Sequence, residues 1–93
     1  MDKMHAAAVL AGELETYRAK TYAQLRELVG SLDVYEVANP GGQAYQVEIQ
    51  VVWDTEPEGA IRILGGIDDG GLSAFAPVTD DLLIAPTGTA EGC

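Results

Sequence analysis

The sequence predicts an α+β domain in which one long N-terminal helix packs on a mainly antiparallel sheet of about four strands, in the order α-β-β-β-β. Three observations carry this. Near the N-terminus, apolar residues recur every three or four positions. In "QAYQVEIQVVWD" they alternate strictly with polar ones. The same alternation returns in "AIRILGGID" after a short stretch rich in turn residues. A chain of 93 residues has room for one such core, so residues 1–93 read as a single domain.

The helix spans 2–29. Leu10, Leu14, Tyr17, Leu25 and Leu28 form its apolar stripe, with Thr21 filling the gap. Asp2 suits the N-cap, Gly30 the left-handed terminating position, and Glu15 with Arg18 an ion pair on the wet face. Burying each leucine stabilises by about 1.5–3 kcal/mol, so the stripe demands a surface to lie on.

The sheet supplies it. A first strand, 33–38, turns through "NPGG" into a long strand, 44–54, whose residues Tyr45, Val47, Ile49, Val51 and Trp53 face one way while Gln46, Glu48 and Gln50 face the other. Strand 60–68 places Ile61, Ile63 and Ile67 on a common side, and "TEPEG" is the turn between the two. Pairing Trp53 with Ile61 and Val51 with Ile63 brings every one of these apolar residues to the helix side, which fixes the register. Leu25, Trp53 and Ile61 are expected to be buried.

Asp69-Gly70 is the dipeptide a tight two-residue hairpin favours, because both central residues take positive φ. On that basis strand 71–77 comes directly after the turn, with Ile67 opposite Leu72 and Leu64 opposite Phe75. Beyond Pro77, Thr79, Asp80 and Asp81 read as a cap or bend before a short edge segment, Leu82 to Ala85, and 86–93 as a frayed tail.

Charge narrows the function. Fifteen acidic residues against five Lys and Arg give a formal net charge of −10. Such a field repels phosphate backbones and anionic headgroups, so neither nucleic acid nor a membrane surface is an expected partner. The single cysteine is Cys93, which leaves no intrachain disulfide, and no apolar run reaches membrane-spanning length. Cytoplasmic localisation is the resulting expectation.

Catalytic constellations are poorly served. One histidine, His5, and one cysteine sit at opposite ends of the chain, and "GLSAF" lacks the second glycine of a nucleophile elbow. No catalytic residue and no cofactor is assigned. Asp68, Asp69, Asp80 and Asp81 offer hard oxygen ligands for Mg²⁺ or Ca²⁺, so a metal-assisted hydrolase stays as an alternative, although the turns need Asp and Gly in any case. It requires the two acidic pairs to lie together.

The second sheet face is more informative. Val52, Leu64 and Phe75 form an apolar patch there, with Glu48 and Arg62 as a polar rim. This points to a non-enzymatic binding or interaction module acting through the open sheet face as a homodimer, or with another protein. A further alternative is a small cationic or amphipathic ligand held between helix and sheet beside Tyr17, Tyr45 and Trp53.

Overall fold

The computed structural model describes residues 2–39, 41–42, 44–70 and 77–86. Among these residues, two helices, α1 (Lys3–Arg18) and α2 (Tyr22–Leu28), precede four strands, β1 (Leu32–Val37), β2 (Tyr45–Trp53), β3 (Ile61–Asp68) and β4 (Val78–Ile84). The strands form one antiparallel sheet in the order β1-β2-β3-β4, and α1 lies across β3 and β4. The α+β arrangement is the one the periodicities imply.

The expected single helix over 2–29 is two. Asp2 caps α1, its carboxylate accepting from the backbone N–H groups of Met4 and His5. Thr21 is the N-cap of α2: its hydroxyl accepts from the Gln24 N–H at 3.1 Å, while the Gln24 side chain accepts from the Thr21 N–H at 2.9 Å. This reciprocal capping box requires extended backbone at Thr21 (ψ 160°), so the helix must break there. The break redirects the chain, letting Leu25 enter the core from a helix not collinear with α1. Gly30 has φ 91°, as a terminating glycine should, and its N–H donates to the Val51 carbonyl at 2.8 Å.

β2 and β3 pair in the predicted register, with Trp53 opposite Ile61 and Val51 opposite Ile63. Ala6, Leu10 and Leu14 of α1 and Leu25 of α2 close over Tyr45, Val47, Ile49, Val51, Ile61, Ile63, Ile67 and Ile84, all buried. Trp53, the last residue of β2, is half-buried rather than buried and packs against the edge of this core. Gly65, between Ile63 and Ile67, lets α1 approach: a β-carbon there would lie 2.9 Å from Leu10 Cδ1 and 3.2 Å from Leu14 Cδ2.

The partner of β3 requires a correction. The ladder runs Ile61 to Ile84, Ile63 to Leu82, Leu64 to Asp81 and Ile67 to Val78. Leu64 therefore does not face Phe75, nor Ile67 Leu72, and Asp69-Gly70 does not close a two-residue hairpin. The actual pairing is displaced six residues along the chain. It sets Val78, Leu82 and Ile84 beside the buried isoleucines, whereas the tight hairpin would have set Leu72 and two alanines there, so core burial overrides the local turn preference. Of the expected strand 71–77, residues 71–76 lie outside the described residues, as does the tail beyond Pro86. Thr79, Asp80 and Asp81 belong to a strand and not to a cap.

The β2–β3 loop is tied down from α2. Glu56 to Gly59 is a reverse turn closed by Gly59 N–H to the Glu56 carbonyl at 3.2 Å, with Pro57 second and Glu58 third at φ 67°. That third position is normally glycine's. Here the Glu58 carboxylate pairs with Arg26 of α2 at 2.7 Å, and the Tyr22 hydroxyl donates to the Gly59 carbonyl at 2.7 Å.

Candidate functional site

With the helices on one side, the other side of the sheet is an open grid defined by strand pairing. One row reads Leu32, Gln50, Leu64, Asp81; the next Val34, Glu48, Gly66, Thr79; a third Glu36, Gln46, Asp68; and at the opposite end Val52, Arg62, Leu83. Leu32 is 60% exposed, Val34 52% and Leu64 39%, the largest exposures of any sizeable apolar side chain in a strand. Val52 and Leu83 are half-buried beside them. Neighbouring strands lie about 4.8 Å apart, so Leu32 and Leu64 flank Gln50 at roughly 10 Å from each other.

Gly66 gives this face relief. No atom lies within 4 Å of where its β-carbon would stand, leaving a gap between Glu48 and Thr79. The result is a groove of about 200 Å³ lined by Leu32, Glu48, Gln50, Leu64, Pro77 and Thr79. Leu32, Leu64 and Pro77 supply its apolar lining, Glu48, Gln50 and Thr79 its polar lining, and Gly65 and Gly66 contribute backbone. Glu48 is the charged residue in its lining.

The polar groups are unevenly matched. Arg62 donates through Nε to Asp54 at 2.7 Å and through a terminal nitrogen to Asp81, bridging the end of β2 to β4. Its hydrogen bonds to these two carboxylates hold the guanidinium even more firmly protonated than usual. Lys3, Arg18, Lys20 and Arg26 all belong to the helical segment, so Arg62 is the open face's one cation. Glu36 and Glu48 meet no cation among the described residues.

Of the expected interface residues, Val52, Arg62, Leu64 and Glu48 share this face, while Phe75 lies outside the described residues. Sequence reasoning missed Leu32, Val34, Leu83 and the groove at Gly66. A signal existed for the first two: in "LDVYEV" both alternating sets, Leu32 and Val34 as well as Tyr35 and Val37, are apolar, which marks a strand with something to meet on each side.

The other expected residues are dispersed. Tyr45 and Trp53 stand at opposite ends of β2, roughly 26 Å apart at strand rise, so they cannot line one small-ligand pocket with Tyr17. Tyr45 is buried, and its hydroxyl is 2.7 Å from His5 Nδ1. Asp68 accepts from the Gly70 N–H at 2.8 Å, which is turn chemistry. Asp80 and Asp81 point to opposite faces of β4, and Asp81 is engaged by Arg62. Asp68 lies four residues along β3 from the residue paired with Asp81, roughly 13 Å away. Among the described residues no three His, Cys, Asp or Glu side chains gather where they could hold a metal ion, and no helix is long and apolar enough to cross a membrane.

A polar cluster on the helix side went unread in the sequence. The Tyr35 hydroxyl donates to Glu13 Oε1 at 2.8 Å, and Tyr17 lies near the Asp33 carboxylate. Burial first, then the bond to Glu13 and its charge, pushes the Tyr35 phenol well above the tyrosine range. Burial and the Asp33 carboxylate raise Tyr17. The Tyr35 phenol is thus a fixed donor that ties α1 to β1, and neither phenol is poised as a base.

Comparison with protein-family models, curated proteins and solved structures finds no match to this chain.

Proposed function

We propose that the chain is a non-enzymatic interaction module whose working surface is the open face of its sheet. One observation carries the reading: Leu32, Val34 and Leu64 are exposed on one face, Leu32 and Leu64 lining a groove, and the helical layer does not cover that face. A two-layer domain this small stabilises itself by burying apolar residues, and twelve of the described residues are buried on the helix side. Large apolar side chains gathered on the opposite face favour a partner there.

A second copy of the chain is the occupant that the apolar patch first suggests. The charges argue against it. Arg62, which would complete a self-complementary rim with Glu48, is held by Asp54 and Asp81 of its own chain. A two-fold contact sets the same face against itself. It would bring Glu36 and Glu48 of both copies together with no free cation to meet them.

Site-specific photocrosslinking in the native cell tests the proposal. A crosslinker at position 64 should give a discrete adduct, while one at the exposed position 27 of α2 should not. Identical adduct patterns from both positions, or none from position 64, would overturn it.

A further inference from the structure

We infer that the open face receives a cationic amphipathic segment of a partner protein, its apolar side against Leu32, Val34 and Leu64 and one long basic side chain in the groove at Gly66. The inference rests on the interaction-module reading and specifies its occupant.

Charge complementarity leads to it. The face presents Glu36, Glu48, Asp68 and Asp81, with Asp54 reaching in from the end of β2, against the single guanidinium of Arg62. Arg62 is already satisfied twice over. Five carboxylates against one guanidinium leave the face four charges negative, part of the chain's net charge of −10. Every other Lys and Arg of the chain lies in the helical segment, so no basic side chain of the protein itself extends from the sheet to neutralise it.

Shape adds a second reason. The groove of about 200 Å³ combines Leu32 and Leu64 with Glu48 in a mixed lining, which suits a long basic side chain, whose methylene stem takes apolar contact while its charged end needs a carboxylate. A neutral apolar segment would desolvate Glu48 without compensation, which is costly for an ionised group. An acidic segment would add repulsion. A nucleic acid would meet phosphate repulsion over the same surface.

The test uses the full chain, ¹⁵N-labelled, titrated with a synthetic Leu/Lys amphipathic peptide of about fourteen residues, four helical turns, and with its Leu/Glu counterpart. The Leu/Lys peptide should shift amides of β1, β2 and β3 around Leu32, Glu48, Leu64 and Gly66. Raising the salt from about 50 to about 500 mM should weaken it by roughly tenfold, since exposed charges are then screened within a few ångströms. Glu48→Lys should weaken binding at least tenfold and Glu27→Lys, the same charge change on α2, less than twofold. Thermal melts of both variants confirm that they fold.

Equal weakening by Glu48→Lys and Glu27→Lys, or equal binding of both peptides, would overturn the inference. If neither peptide binds and sedimentation shows a dimer that Leu32→Asp dissociates, the face is an interface but its occupant is a second copy. If neither peptide binds and the chain sediments as a monomer, the cationic occupant is refuted. The crosslink at position 64 then decides the interaction-module reading by itself.

Discussion

Replacing Gly65 by alanine should destabilise the fold, whereas the same change at its neighbour Gly66 should not. A β-carbon on Gly65 would stand 2.9 Å from Leu10 Cδ1, 3.2 Å from Leu14 Cδ2 and 3.4 Å from Ile49 Cδ1. Carbon atoms pack best at roughly 3.5–4.0 Å, so the Leu10 methyl must retreat by about 0.6 Å. Leu10 and Leu14 are essentially inaccessible to solvent and cannot swing outward. Overpacking of this kind costs about 1–3 kcal/mol. The atoms that must yield are side-chain ends, which places the cost in the lower half of that range. Alanine also restricts the unfolded chain, offsetting about 0.4–1 kcal/mol. The net loss for Gly65→Ala is therefore about 0–1.6 kcal/mol. At Gly66 nothing lies within 4 Å and φ is not positive, so only the gain of about 0.4–1 kcal/mol remains. At 4–8 °C per kcal/mol for a domain of this size, the two variants should melt roughly 5–15 °C apart. Paired thermal and urea denaturation measures it. Adding Leu10→Val to Gly65→Ala should recover part of the loss, as a double-mutant coupling of about 0.5 kcal/mol or more. A Gly65→Ala protein as stable as Gly66→Ala would refute the claim that α1 is seated on bare backbone at this point of β3.

Glu58 separates backbone strain from an ion pair. Its φ of 67° costs a non-glycine residue about 1–2 kcal/mol, whereas its exposed pair with Arg26 is of a kind worth about 0–1 kcal/mol. Both Glu58→Asn and Glu58→Gln remove the charge, but asparagine tolerates the left-handed region, so Glu58→Asn should be the more stable by about 0.5–1 kcal/mol in urea denaturation. Equality of the two would show that the turn is not strained. Tyr35 gives a pH dependence of known sign. Its folded phenol titrates above the ordinary value of 10.0, so as pH rises past that value the unfolded chain releases a proton that the folded one keeps. Stability present below pH 10 is then lost progressively above it. Tyr35→Phe should flatten that decline in denaturation curves recorded between about pH 9 and 11, and an unchanged slope would mean that burial and the bond to Glu13 do not hold the proton.

The sequence by itself determined the fold class, the helix side of the central strands and the β2–β3 register. In each case two signals coincide: the alternation through Tyr45–Trp53 and Ile61–Ile67 agrees with the turn residues of "TEPEG", and a one-residue slip would have exposed the whole isoleucine set. It also made four of the five expected open-face residues legible, Glu48, Val52, Arg62 and Leu64, because facing is a property of the strand alone. The identity of the fourth strand was decided by tertiary structure. Asp69-Gly70 is a strong local hairpin signal, but choosing between 71–77 and 78–84 as the partner of β3 depends on which segment buries more apolar surface under α1. Val78, Leu82 and Ile84 win that comparison only once the helix is in place. The helix break at Thr21 is similar, since the apolar stripe runs through it and only the capping geometry shows that the chain turns. The site divides the same way. That Arg62 is present could be read from the letters. That Asp54 and Asp81 converge on it, leaving the face negative around a groove at Gly66, depends on three strands meeting side by side, and pairing of that kind is set by the whole sheet rather than by any one strand.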